Sequence, residues 1–212
     1  MVETLEHFIP WATLGYLLGS CPTGYLLVRL IKGVDIRELG SGNIGATNVS
    51  RVLGKKWALF TAIADMFKGG LAILLTMAMG HDDAASLSVV GAMSVLGHNF
   101  PVWIGFRGGK GVATSFGVIA FFDFFNPSAA ILGGIAWFAA REISCMVSLA
   151  SMTALFASAF CMFVFGMPRP YFYCGLFLAA FAVVRHRENI ARIIAGNENK
   201  VKPFFPRREE SE

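Results

Sequence analysis

The chain is dominated by apolar runs long enough to cross a lipid bilayer, and that feature removes most of the folds open to 212 residues. A membrane-spanning helix needs roughly 20 largely apolar residues. Such runs occur at 8–30, 57–79 and 84–106, across 111–140, and at 144–166 and 171–184. The 111–140 stretch is too long for one helix and is interrupted by Asp123, Asn126 and Pro127, so it divides into two short spans. The expectation is an all-α integral membrane protein with about seven transmembrane helices, residues 1–212 forming one transmembrane domain. Composition agrees, with 55% apolar and 15% charged residues, where a soluble domain carries about 25% charged. A disordered chain, a nucleic-acid-binding module and an ordinary soluble enzyme all fit poorly.

Orientation follows from the loops, because Lys and Arg near membrane ends favour the cytoplasm. The segments before the first span, between the second and third, and between the fourth and fifth carry no Lys or Arg, and that between the sixth and seventh carries only Arg169. The other side holds Arg37, Arg51, Lys55, Lys56, Arg107, Lys110, Arg141, Arg187, Arg192 and the basic tail 200–212 with Arg207 and Arg208. The N-terminus is therefore expected outside and the C-terminus in the cytoplasm, which an odd number of spans satisfies. Glu3 and Glu6 stand where a secretory signal has basic residues, so the first run is expected to be a retained span. Much of the basic surplus behind the pI near 9.0 is then ordinary topology. Cys21, Cys145, Cys161 and Cys174 lie in apolar runs without a C-x-x-C pair and read as small buried residues.

The informative polar residues form three clusters on the predicted cytoplasmic side. In the first, 40–51, Gly40, Gly42 and Gly45 match G-x-G-x-x-G, yet no strand precedes them and no parallel-sheet unit surrounds them. What remains is a glycine-bearing loop with Ser41, Thr47, Asn48 and Arg51, either a polar turn or a set of backbone N–H groups and one guanidinium around an anion. The second, 106–114, contains Gly108, Gly109, Lys110 and Gly111 directly before a span. It is not a Walker A loop, but glycines, a lysine and the following helix N-terminus suit a phosphate. The third, 185–200, puts His186, Asn189 and Arg192 roughly on one helical side, with Glu198 as a cap or ion-pair partner. Ser144, Ser148 and Ser151 fall on one stripe, read first as helix packing and second as a hydroxyl into the site. Asp65 and Lys68, three apart inside a span, read as a structural ion pair near the site rather than as part of a transport pathway. His98 and Asn99, ahead of Pro101, read as a helix break.

Taken in order, Gly-Ser-Gly-Asn-Ile-Gly-Ala-Thr-Asn-Val, Gly-Gly-Lys-Gly-Val-Ala-Thr and Arg-His-x-x-Asn-Ile-x-Arg, separated by apolar spans, closely resemble the bacterial acyl-phosphate:glycerol-3-phosphate acyltransferases, the PlsY family. The resemblance covers nearly the whole chain and departs from the family's third motif at Asn197. It implies transfer of a fatty acyl group from acyl phosphate to the 1-hydroxyl of glycerol 3-phosphate, giving lysophosphatidic acid and phosphate, the first acylation of bacterial phospholipid synthesis. It implies an enzyme of the bacterial inner membrane with its site facing the cytoplasm, acting as a monomer among membrane lipids, with no metal, cofactor or nucleic-acid partner. By motif match, Thr47, Asn48, Arg51, Gly108, Gly109, Lys110, Gly111 and Ser148 would hold the acyl phosphate. Ser41, Arg51, Lys110, His186 and Asn189 would bind glycerol 3-phosphate, with Ser41, Lys110, His186 and Asn189 catalytic and Glu198 structural.

Acyl phosphate is a mixed anhydride with a competent leaving group, so direct transfer without an acyl-enzyme is the expectation. Either His186 or a substrate phosphate oxygen takes the hydroxyl proton. The unrelated His-x-x-x-x-Asp acyltransferase pattern is absent, since Ala12, Ser86, Trp103 and Ala191 stand five residues after the four histidines. A small multi-span transporter of an anionic solute is the alternative from another class. It would place its binding groups near the bilayer midplane.

Overall fold

The computed structural model describes residues 2–124 and 126–205, with side chains described from Phe8 onward; the tail arginines Arg207 and Arg208 lie outside the described residues. It is all-helical among these residues: α1 (Val2–Gly19), α2 (Thr23–Lys32), α3 (Ala46–Leu53), α4 (Lys55–Ala78), α5 (Ala84–Asn99), α6 (Val112–Phe122), α7 (Ser128–Ser144), α8 (Val147–Val164), α9 (Arg169–Arg185) and α10 (Arg187–Ile194). Four stretches are long and apolar enough to cross a membrane: Phe8–Lys32, Lys55–Ala78, Ala84–Ile104 and Val147–Val164. The chain breaks between α6 and α7 at the Asp123–Pro127 interruption. The first apolar run, read above as one span, is two helices separated at Ser20–Pro22, because Pro22 lacks an N–H for a continuing ladder.

Two further expectations change. Segment 46–53 is an eight-residue helix rather than an open loop. The stripe Ser144, Ser148 and Ser151 does not lie on one helix: Ser144 ends α7, and Cys145 adopts φ 57° before α8 begins. Ser144 Oγ caps this corner, donating to Ala140 O at 2.6 Å and accepting Met146 N–H at 3.1 Å. Nor are the cysteines uniformly buried, since Cys21 at the first break is exposed and only Cys174 is fully buried.

Between helices in lipid the hydrophobic effect drives little, and close backbone approach carries the packing. Gly15 and Gly19 of α1 lie against the carbonyls of Val90 and Ser94 on α5, and Gly117 of α6 lies against the carbonyl of Met66 on α4. A Cβ at any of these would overlap backbone oxygen. The Gly117→Val variant is therefore expected to lose about 1–3 kcal/mol by pushing α6 off α4, read as a lower melting temperature in detergent; an unchanged melt contradicts this contact. Ile73, Leu87, Val90, Val118, Leu155 and Leu178 close the core, while Leu59, Phe60, Ile63, Phe160 and Phe163 remain exposed on the outer faces. These outward faces are the ones a bilayer would solvate. The helices are joined at one end by 79–83, 123–127 and 165–168, and the three polar clusters gather at the other.

Candidate active site

At the polar end a cavity of about 1110 Å³ opens between α3, α4, α6, α7, α8 and α10. Its first wall is built by a loop with a rigid entry. Asp35 N-caps the short 3-10 turn at 36–38 and pairs with Arg37 at 2.7 Å. The Arg37 hydrogen bonds and charge hold the Asp35 carboxyl below its ordinary value. Arg37 also donates to Ile104 O at 2.7 Å, tying this loop to the one before α6. Gly40 and Gly42 have φ of 60° and 69°, a region open to glycine at no steric cost. Asn48, 1% exposed, then pins the turn: its Oδ1 accepts Ser41 N–H at 3.0 Å and its Nδ2 donates to Leu39 O at 2.9 Å. The amide of Asn48 is thus spent on the loop, while Ser41 and, one turn apart on α3, Thr47 and Arg51 present exposed side chains at the cavity wall.

The second wall comes from 108–113, and here the backbone is used differently from the expectation. The last carbonyls of a helix lack intrahelical donors, and Gly108 and Gly109 supply them: Gly108 N–H donates to Asn99 O at 3.2 Å and Gly109 N–H to His98 O at 3.1 Å. Arg185 donates to Gly109 O at 2.9 Å from the opposite side. Gly108 and Gly109 therefore do not line the main cavity, and their N–H groups do not face it as a phosphate cradle. Gly108 borders a neighbouring cavity of about 640 Å³. Lys110, Gly111, Val112 and Ala113 do line the main one. Gly111, at φ 77°, caps the N-terminus of α6 and turns that helix end toward the cavity. Unpaired N–H groups and the positive end of the helix dipole favour an anion there.

The third wall is α10 with the segment behind it. His186 Nδ1 lies 2.7 Å from Ala182 O, and since a carbonyl only accepts, the ring proton sits on Nδ1 and Nε2 is the acceptor. Burial, then the Lys110 charge, lowers the His186 pKa to about 4, so the imidazole is neutral at physiological pH. Lys110 donates to Asn189 Oδ1. Burial, followed by the nearby Arg192 charge, lowers the Lys110 pKa to about 8. Glu198 ties the wall together: Oε1 accepts from Asn189 Nδ2 at 2.6 Å and Ser148 Oγ at 2.9 Å, and Oε2 from Arg192 Nε at 2.8 Å. Burial alone would raise its pKa, but these three donors outweigh it and hold Glu198 below its ordinary value. The chain beyond Glu198 returns across the α7–α8 corner. Val201 N–H donates to Cys145 O at 2.8 Å, Arg141 donates to Lys202 O at 2.7 Å, and Phe204 stacks on Phe138.

Ser41, Thr47, Asn48, Arg51, Lys110, Gly111, Ser148, His186, Asn189 and Glu198 thus meet around one space. Arg51, Lys110, Arg185, Arg187 and Arg192 set its charge, with Glu188 and Glu198 the carboxylates at its rim and Asp65 at its floor. From this end the cavity continues between helices along Ala62, Met66, Phe116, Gly134, Trp137 and Val147. Met66 lies eleven residues into α4, so at 1.5 Å per residue this apolar branch reaches about 16 Å down the bundle. Sequence reading missed the Arg185 clamp on Gly109; the signal was its place beside His186. It also missed that Asp65 and His98 form part of the cavity floor.

A polar end rich in cations joined to an apolar branch fits an amphiphile bearing phosphate, and the chain's relatives are of that kind. The profile described as glycerol-3-phosphate acyltransferase matches residues 9–196. The chain belongs to the glycerol-3-phosphate acyltransferase family. It is 41% identical over 185 residues to the glycerol-3-phosphate acyltransferase of Aquifex aeolicus, covering 87% of this chain and 94% of the relative. The Caulobacter vibrioides acyltransferase is 42% identical over 191 residues, covering 88% and 84%. Among solved structures, PlsY (YgiH), an integral membrane glycerol 3-phosphate acyltransferase in its glycerol 3-phosphate form, superposes with a TM-score of 0.86 at 39% identity, covering 92% and 96%. The lysophosphatidic acid form of PlsY gives 0.84 at 38% identity, covering 93% and 96%. The acyltransferase family is an integral-membrane one in these structures, as the apolar helices here require.

Proposed function

We propose that this glycerol-3-phosphate acyltransferase takes its acyl group from acyl phosphate and delivers it to the 1-hydroxyl of glycerol 3-phosphate, giving lysophosphatidic acid and inorganic phosphate. The observation that carries this reading is one cavity that combines Arg51, Lys110, Arg187 and Arg192 with an apolar branch. Both substrates bring a phosphate, and only the donor brings a long chain. Lys110, the α6 N-terminus behind Gly111, Thr47 and Ser148 suit the donor phosphate. Ser41, Arg51, His186 and Asn189 suit glycerol 3-phosphate, with Asn48 and Glu198 holding these groups in place. The enzyme acts as a monomer, spans the bacterial inner membrane seven times with its N-terminus outside, and opens its site to the cytoplasm. The gathering of the three polar clusters at one end, with a charge surplus there, speaks against a solute carrier.

In the reaction the 1-hydroxyl oxygen attacks the acyl carbonyl carbon, the new ester C–O bond forms, and the carbon–oxygen bond to phosphate breaks. A base of pKa about 4 holds a proton poorly at neutral pH. His186 Nε2 therefore accepts the hydroxyl hydrogen bond and aligns the oxygen, while the proton passes to the departing phosphate. Lys110 and the helix end stabilise the negative charge of that phosphate as it leaves. The test is donor choice: purified protein in detergent is offered palmitoyl phosphate and palmitoyl-CoA separately, with labelled glycerol 3-phosphate. Lysophosphatidic acid and phosphate in equal amounts from the first donor, and none from the second, is the expected result. Transfer from the CoA thioester alone overturns the donor assignment.

A pH profile follows from Lys110. Its ammonium is present below about pH 8 and lost above it, so kcat/KM for either phosphate substrate is expected to fall above about pH 8. A bound phosphate favours the ammonium, so kcat at saturation breaks at a higher pH than kcat/KM. Rates measured from pH 6 to 10 check this, and identical breaks in both parameters contradict it.

A further inference from the structure

Beneath the glycine loop, outside the three sequence clusters, lies a buried polar group that the reaction scheme above leaves unused. Asp65 and Lys68 on α4 and His98 at the end of α5 are 3%, 7% and 4% exposed. Lys68 Nζ lies 2.8 Å from Asp65 Oδ1, 3.0 Å from His98 Nδ1 and 2.7 Å from Cys21 O. An ammonium has three donors and no acceptor. Its hydrogen bonds go to Cys21 O and His98 Nδ1, while Asp65 Oδ1 pairs with it by charge and lies 3.6 Å from the same ring nitrogen; facing an ammonium at 3.0 Å, His98 Nδ1 is the acceptor. The His98 proton therefore sits on Nε2. That edge of the ring packs directly under Gly109, where a Cβ would overlap Nε2. The same residue's carbonyl accepts the Gly109 N–H at 3.1 Å. Arg185 holds Gly109 O from the other side. Gly109 is thus gripped on three sides, and the next residue is Lys110.

Burying ionisable groups at the core of a membrane bundle is expensive, and such groups are retained for a purpose. Stability alone does not explain them, since an apolar replacement of a buried ion pair is often neutral or stabilising. The network joins the α1–α2 break, α4, α5 and the glycine loop; Asp65 and His98 border the main cavity, and the imidazole edge supports Gly109. We propose that Asp65, Lys68 and His98 are positioning residues that fix His98 as its Nε2–H tautomer beneath Gly109 and so set where Lys110 enters the phosphate site. The pair read from sequence as purely structural then acts on the reaction through Lys110. Gly109 is glycine because no side chain fits on this platform.

The inference rests on Lys110 as a phosphate ligand, and a double-mutant cycle on the full chain in detergent separates the two claims. His98→Ala is expected to lower kcat/KM about 30-fold in the wild-type background and less than about 3-fold in Lys110→Ala, because the placement of Lys110 has no effect once the lysine is gone. His98→Gln, whose amide nitrogen reaches the Nε2 position, is expected to recover most of the activity, with a melting temperature no higher than that of His98→Ala required. Equal factors in both backgrounds overturn the positioning role, since a general packing defect multiplies with the loss of Lys110. Wild-type activity in Lys110→Ala itself would instead contradict the phosphate-ligand reading. If His98→Ala does not fold, Gly109→Ala takes its place in the cycle, because it strikes the same contact from above and leaves the three buried side chains intact.

Discussion

Lys110→Ala is expected to lower kcat/KM for acyl transfer on the order of 1000-fold, the scale for removing a charge that faces a departing anion in a water-poor site. Three features concentrate the effect on this residue. It is the lysine that lines the cavity, it donates to Asn189, and it stands directly before the cap of α6. Its loss removes both the charge on the donor phosphate and the tie that orients the third wall. Lys110→Arg is expected to recover only part of the activity, because a planar guanidinium does not replace a compact ammonium in a space shaped by Asn189 and Gly111. Steady-state kinetics with acyl phosphate and glycerol 3-phosphate check both variants. A Lys110→Ala enzyme within a few-fold of wild type would remove the lysine from the mechanism.

Glu198→Ala is the second large effect, expected at about 100-fold in kcat/KM together with a lower melting temperature. The carboxylate lines the cavity rim, but its weight lies in accepting from Ser148, Asn189 and Arg192 at once. Without it, Ser148 on α8 and Asn189 and Arg192 on α10 lose their common acceptor, and a buried donor left unpaired costs about 1–3 kcal/mol. Glu198→Gln keeps the shape but turns one acceptor position into a donor, so it falls between wild type and alanine. The sign with pH follows from the lowered pKa: the contribution is complete above the unfolded value near 4.3 and is lost as pH falls further. Thermal melts of wild type and Glu198→Gln between pH 3 and 7 check this, the variant lacking the acid-dependent drop. Coincident pH dependence in the two proteins contradicts it.

The four long stretches were legible in the sequence because an apolar run of bilayer length has few alternatives, and the Asp123–Pro127 interruption announced itself. The Cys145 corner did not, because a left-handed residue there is a cysteine rather than a glycine or asparagine, and its capping serine reads equally well as part of a continuing helix. The helix at 46–53 was hidden for another reason. Eight residues with several β-branched or polar members have little helical preference of their own, and burial of Val49 together with the Asn48 hydrogen bonds stabilises them in place.

At the site, residue type and order indicated which side chains share one cavity, but not where the backbone of the glycine loop points. Gly108 and Gly109 looked like phosphate binders because glycine allows close approach. What they approach is the carbonyl end of α5, whose need for donors appears only once α5 and the loop are side by side. The backbone that lines the cavity is instead the next few residues, at the start of α6. Likewise Asp65 and Lys68 were visible as a pair, but the third member, His98, is thirty positions beyond Lys68 and joins them only through the packing of α4 on α5.

The central claim is direct transfer between two phosphate-bearing substrates held in one cavity, without an acyl-enzyme. Exchange of labelled inorganic phosphate into acyl phosphate, measured on purified protein with glycerol 3-phosphate absent, tests it most directly. Direct attack by the glycerol 3-phosphate hydroxyl predicts no exchange above the enzyme-free rate, because the bond to phosphate breaks only when the acceptor is present. Exchange at a rate comparable to turnover would show that the acyl group first moves to a residue of the protein, and would contradict the account.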